Sequence, residues 1–248
     1  MYVERPPGAD VADRVACEWR LVSEADTTQL VVPDACVDLI WGPEGLFVAG
    51  PDTGPMPTHL VPGDTFVGIR FKPGAAGDFF GLPLQELRDQ RVRLSDLPSL
   101  HVRLSGLPSP HVRLSDLPPL HVPDAGPSRR LDALRVAVRA RLAQGTSVDP
   151  ASSAIAGALR NGRTVAEVAW DLGFSERQLH RRSLTSFGYA PKTLQRIVRF
   201  QRALALARAG VPLAEVAVAA GYADQAHLSH DVKRLSGVSM RHLVSPSG

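Results

Sequence analysis

Residues 164–204 read TVAEVAWDLGFSERQLHRRSLTSFGYAPKTLQRIVRFQRAL, and residues 213–244 read LAEVAVAAGYADQAHLSHDVKRLSGVSMRHLV. In the first stretch Val165, Val168, Ala169 and Leu172 fall at i, i+3, i+4 and i+7, the apolar stripe of a short helix, and Gly173-Phe174 follows at once. Leu213, Val216, Ala217 and Ala220, then Gly221-Tyr222, repeat this 48 positions later, and both helices share Ala-Glu-Val-Ala, at 166–169 and 214–217. After each Gly-aromatic pair comes a polar helix with sparse apolar anchors: Leu179, Leu184 and Phe187, then Leu228, Val232 and Leu235. The pattern is helix, glycine turn, helix, written twice.

A glycine accepts positive φ at no steric cost, so it permits the sharp turn of a helix-turn-helix, whose second helix presents polar side chains to base edges. On the first such helix Arg177, His180 and Arg181 stand at i, i+3 and i+4 with Gln178 beside them, opposite the Leu179/Phe187 face. On the second, Ala226, Ser229, His230 and Lys233 share a face, with Gln225 and His227 near its start. Arg and Gln pair bidentately with guanine and adenine. Between the two units Pro191 to Ala209 reads as one long helix carrying Lys192, Arg196 and Arg199 at i, i+4 and i+7. At 1.5 Å per residue it spans roughly 28 Å, close to one turn of DNA. Those three cations, with Lys233 and Arg234, are the candidate phosphate contacts. A solvated helix face is the plainer alternative for the three.

The charge distribution agrees. Net charge is +3 over 248 residues, but residues 1–127 carry 10 Lys+Arg against 17 Asp+Glu, net −7, and residues 128–248 carry 18 against 8, net +10. Such a split argues for two domains, the basic one meeting a polyanion. From Arg14 to Phe71, runs such as CVDLIW, LFVAG and TFVGIRF alternate with Gly, Pro and Asp, the pattern of short antiparallel strands. The fold expected is therefore two-domain α+β: an N-terminal mainly-β small barrel or sandwich, and a C-terminal all-α domain with two helix-turn-helix motifs. Residues 91–122 hold three near-identical copies of a Pro-containing decapeptide, RVRLSDLPSL in the first, too short for a structural repeat and read as a lengthened loop. The expected division is 1–90 as the β-rich sensory or dimerisation domain, 91–127 as the decapeptide loop or linker, 128–149 as a linker helix, and 150–248 as the helix-turn-helix domain.

Several classes are set aside on sequence. No apolar run approaches the ~18–20 residues of a membrane-spanning helix and the stretch MYVERPPGADVADRV lacks a basic segment followed by an apolar one, so a cytoplasmic protein with no membrane contact is expected. Cys17 and Cys36 show no metal-ligand or disulfide spacing, and neither GxxxxGK, HExxH nor a nucleophile elbow occurs. Neither metal, cofactor nor enzyme activity is expected.

The 164–204 and 221–244 strings closely resemble the DNA-binding domain of AraC/XylS-type transcription regulators, over about residues 150–245. The resemblance implies a bipartite seven-helix domain placing two recognition helices in successive major-groove segments. It implies base-facing roles for Arg177, Gln178, His180 and Arg181, then Gln225, His227, Ser229 and His230. Three positions depart from the family pattern: Ser183 replaces a core Phe, Met240 replaces a Pro, and His230 replaces a basic residue. The N-terminal half, through VVPDACVDLIW, VAGPDTG and GIRFKPGAA, resembles the β-rich, cupin-like domain preceding this module in some such regulators. His59 stands isolated, without the His-x-His of a metal-binding cupin. Asp38, Trp41, Arg70 and Phe71 are candidates for an effector pocket, each with an ordinary structural role as its alternative. The partners implied are double-stranded DNA, a small-molecule effector and a second copy of the chain. Two other functions stay open at this point: a DNA-repair-type cysteine methyl acceptor, and a ligand-binding module with a degraded DNA-binding domain.

Overall fold

The computed structural model describes residues 1–97, 126–143 and 149–245. Beyond Leu97 the decapeptide copies lie outside the described residues, as do 144–148.

Eight strands form the first domain: β1 Tyr2–Arg5, β2 Val15–Val22, β3 Thr27–Val31, β4 Val37–Gly42, β5 Gly45–Ala49, β6 Met56–Leu60, β7 Thr65–Phe71 and β8 Arg91–Arg93. Six make an antiparallel sheet in the order β1-β2-β7-β4-β5-β8, while β3 and β6 pair separately. Side-chain alternation sorts each strand between two faces. Val37, Leu39 and Trp41 of β4 enter the larger core with Val67, Ile69 and Phe71 of β7, whereas Ile40 joins Trp19 and Ala49 in a small cluster. Helix α1 (Gly77–Phe80) brings Phe79 and Phe80 against Phe71 at ring-centroid distances of 4.7 and 5.6 Å.

Two expected boundaries move. Arg91–Arg93, expected in the loop, is an edge strand pairing Val92 with Val48. Helix α2 (Pro127–Ala143), expected to be a linker, belongs to the β domain. Its Leu131, Leu134 and Val138 lie on one face and complete the core over β7, and Arg135 Nε holds the buried Glu18 carboxylate at 2.7 Å. Periodicity showed the helix, but its docking partner is a sheet face that only the fold assembles.

The second domain comprises α3 Pro150–Arg160, α4 Val165–Asp171, α5 Glu176–Phe187, α6 Pro191–Arg208, α7 Leu213–Ala220, α8 Gln225–Ser236 and α9 Met240–Val244. Helix α6 runs through its centre, burying Leu194, Ile197, Phe200, Ala203 and Leu204 among residues of the other helices. Ala35 from the β domain is part of this same core. Met240, at a position where the family places Pro, buries its side chain at the start of α9.

Candidate nucleic-acid interface

The first unit is α4–turn–α5 and the second α7–turn–α8. Capping fixes where the helices begin. Thr164 opens α4 and Ser175 opens α5 with reciprocal boxes: Glu167 accepts the Thr164 amide at 2.7 Å, and Gln178 Oε1 accepts the Ser175 amide at 2.8 Å. Asp224 opens α8 by accepting the His227 amide at 2.7 Å, whereas α7 follows Pro212 with no side-chain cap. Gly173 (φ +67°) and Gly221 (φ +83°) make the turns, and Gly188 (φ +77°) and Gly237 (φ +76°) end the second helices. These are left-handed conformations that a Cβ resists. Because the second turn holds one more residue between its glycine and the cap, Gly221-Tyr222-Ala223-Asp224 against Gly173-Phe174-Ser175, α5 and α8 correspond at 49 positions, from the caps Ser175 and Asp224 to the terminal glycines.

All eight base-facing candidates are exposed: Arg177, Gln178, His180 and Arg181 on α5, and Gln225, His227, Ser229 and His230 on α8. Leu179 and Phe187, then Leu228, Val232 and Leu235, are buried on the opposite faces. Two of the eight have local duties. Gln178 spends its carbonyl oxygen on the cap, which leaves its N–H donors for an outside partner. His227 Nδ1 accepts from the Ala223 amide at 3.4 Å, and its ring stands edge-on to Tyr222. The α5 face lines a cleft of about 610 Å³ whose other wall includes Gln85 of the β domain.

The phosphate candidates divide. Lys192, Lys233 and Arg234 are exposed. Arg196 and Arg199 instead face Asp231, at 4.0 and 3.1 Å, and Arg199 also lies 4.2 Å over the Tyr222 ring. Asp231 is 5% exposed, and a carboxylate buried that deeply requires a cation, so both arginines tie α6 to α8. The Tyr222 hydroxyl donates to the same carboxylate at 3.2 Å, and burial with that neighbouring charge pushes its pKa up. Asp231 escaped the sequence reading, although an acid at the core-facing edge of a helix, one turn beyond Leu228, was its signal.

Ser183 is fully buried, and its hydroxyl donates to the Tyr189 carbonyl at 2.7 Å, so the polar atom in the core has a partner. The Ser183 hydroxyl therefore does not stand unpartnered in the core of the first unit.

The four effector candidates do not share one lining. Asp38 and Arg70 pair across β4 and β7 (Nε–Oδ1 3.1 Å, Nη2–Oδ2 3.1 Å) on the sheet face opposite the main core. Trp41 and Phe71 point into that core, 7% and 0% exposed. Adjacent residues of a strand face opposite ways, so Arg70 and Phe71 cannot border one cavity from β7. Asp34 and Glu4 join Arg70 at 3.6 and 3.5 Å, and burial raises the Asp34 pKa despite that cation.

Residues 168–245 match the family model described as a helix-turn-helix domain, and residues 3–93 match a domain of unknown function, DUF6597. The helical domain is an AraC-type helix-turn-helix domain. No curated protein sequence matches the chain. Solved structures with a similar course include ToxT from Vibrio cholerae in a P21 crystal form, 12% identical over 100% of this chain and 99% of that one, TM-score 0.46. Another is ToxT of V. cholerae strain SCE256 with unsaturated fatty acid bound, 12% identical over 91% and 93%, TM-score 0.45. Among the described residues no helix is long and apolar enough to cross a membrane, and no group of three or more His, Cys, Asp or Glu is arranged to hold a metal ion.

Proposed function

We propose that this protein is a sequence-specific transcription regulator in which α5 and α8 read adjacent major-groove segments while the β domain senses an effector or mediates self-association. The observation carrying this reading is the pair of capped helix-turn-helix units with exposed polar faces, joined by α6 within a half of net charge +10. Lys192, Lys233 and Arg234 supply salt-dependent affinity through phosphates, and Arg177, His180, Arg181, Gln225, Ser229 and His230 supply sequence choice. Gln178 and His227 act through the donors that their caps leave over.

The cysteine methyl-acceptor alternative needs a thiolate. Burial pushes the Cys17 thiol up to about 12 and Cys36 well above its ordinary range, with Asp34 and Asp38 nearby adding to the shift. Both are therefore thiols at neutral pH, which weighs against that chemistry.

Selection of bound molecules from a random duplex library by the full chain, at two salt concentrations, tests the proposal. The expected result is a bipartite motif with halves about one helical turn apart. Retention of DNA without any enriched sequence overturns sequence-specific reading and leaves backbone binding alone.

A further inference from the structure

Three loops of the β domain converge on the C-terminal end of α5. Pro51 and Leu84 lie so close to Gly188 that a Cβ there would stand 2.7 and 3.0 Å from them, and a Cβ on Gly74 would stand 2.7 Å from the Phe187 ring. Arg88 donates to the Gly188 carbonyl at 3.3 Å. Tyr189, 1% exposed, donates its hydroxyl to the Asp52 carbonyl at 2.7 Å, and the Asp52 carboxylate takes both Nη groups of Arg91, at 2.9 and 2.7 Å. The chain of contacts ends inside the recognition helix, where Ser183 donates to the Tyr189 carbonyl. A larger apolar residue at 183 could not make that bond.

Among the described residues the second unit shows no such joint. At the position matching Phe187, Ser236 turns its hydroxyl back to the Val232 and Val238 carbonyls of its own unit. At the position matching Gly188, Gly237 meets the β domain only at the distance of ordinary contact with Pro55, 3.6 Å from an added Cβ.

We infer that Tyr189 is a positioning residue: it fixes the first recognition helix to the β domain, so the half-site read by α5 is recognised under the β domain's control while the half-site read by α8 is not. This rests on the regulator reading above. The hydrogen-bonded seam sets the angle and depth of α5 against the remainder of the molecule, and any rearrangement of the 50–55 loop reaches Ser183 through two bonds. α8 takes its placement from α6, through Arg199 and Asp231, and α6 meets the β domain elsewhere, where Gln201 donates to the Pro33 carbonyl outside the 50–55 loop.

Two full-length variants test it, Tyr189→Phe and the milder Arg88→Ala, each measured against DNA duplexes carrying single base changes across both half-sites and by amide hydrogen exchange without DNA. Tyr189→Phe is expected to reduce discrimination at α5-read positions by about fivefold, the scale of one neutral hydrogen bond, with α8-read positions unchanged. Exchange should quicken in α5 and not in α8. Arg88→Ala is expected to act in the same direction and less. Equal loss at both half-sites, or α5 exchange indistinguishable from wild type in both variants, overturns the inference. If neither protein discriminates any sequence yet α5 exchange alone quickens, the joint stands and the regulator reading fails.

Discussion

At the first helix-turn-helix α5 turns Ser183 to the core and ends against another domain; at the second the matching residue is Val232, and α8 closes on its own unit. The two share one plan, with capped second helices of twelve residues and left-handed glycines at both ends of the same stretch. Their difference lies in what each buried polar group binds. Ser183 spends its hydroxyl on the segment that carries Tyr189 into the β domain, whereas Asp231 spends its carboxylate on arginines of α6. A repeated motif therefore fixes shape, and the few polar atoms it buries decide what the shape is attached to.

The largest expected effect comes from the seam. Phe187→Ala removes a fully buried ring shared with the β domain at Gly74 and should cost about 3–5 kcal/mol in urea unfolding. A cost below the usual range for a large core deletion means that the seam packs loosely, and the contrast between units weakens. The exchange of core residues comes next. Val232→Ser leaves a cavity and an unpartnered hydroxyl, worth about 2–3 kcal/mol, while Ser183→Val orphans only the Tyr189 carbonyl, worth about 1 kcal/mol. Equal losses from the two substitutions contradict the asymmetry. Arg199→Ala should destabilise by about 1–2 kcal/mol, less than for a fully buried pair because its side chain is partly exposed and Arg196 remains.

The DNA salt dependence separates the two kinds of arginine and lysine. Lys192→Ala is expected to reduce the slope of log affinity against log salt by about 1, and Arg199→Ala to leave it unchanged. A drop in slope for both returns Arg199 to the phosphate contacts. The smallest effect concerns the caps. The Thr164 hydrogen bonds, then Arg163, hold the Glu167 pKa below its ordinary value, so its stabilisation of α4 is present above the normal carboxylate range and fades as pH falls through the lowered value. Wild type and Glu167→Gln should differ in α4 hydrogen exchange at neutral pH and converge in acid. α7, which has no side-chain cap, provides the internal control.

Local features were the most legible ones. The duplicated period, the glycine turns and the exposed α5 and α8 faces all follow from residues within a few positions of one another, where helical spacing alone fixes neighbours. Misreadings arose wherever a partner is distant in the chain. Helix α2 showed its apolar stripe but not the sheet it covers, and Arg196 and Arg199 showed their spacing but not Asp231. Nothing local in GPDTGP at 50–55 or KPGAAG at 72–77 indicates that these segments meet the C-terminal end of α5. Trp41 and Phe71 lie close in sequence to Asp38 and Arg70, but strand alternation sends them to the opposite face of the sheet.

The sequence by itself determined that this chain carries two helix-turn-helix units in a basic half behind an acidic β-rich half, because apolar periodicity and net charge are sums over local positions. Only the tertiary structure decided which cations are spent internally, that α2 belongs to the sheet, and that the Gly188-Tyr189 segment closing α5 is hydrogen-bonded to the β domain. Those outcomes depend on buried polar atoms finding partners 32 to 137 residues away, between Arg199 and Asp231 and between Asp52 and Tyr189, and such pairings exist only once the core has closed around them.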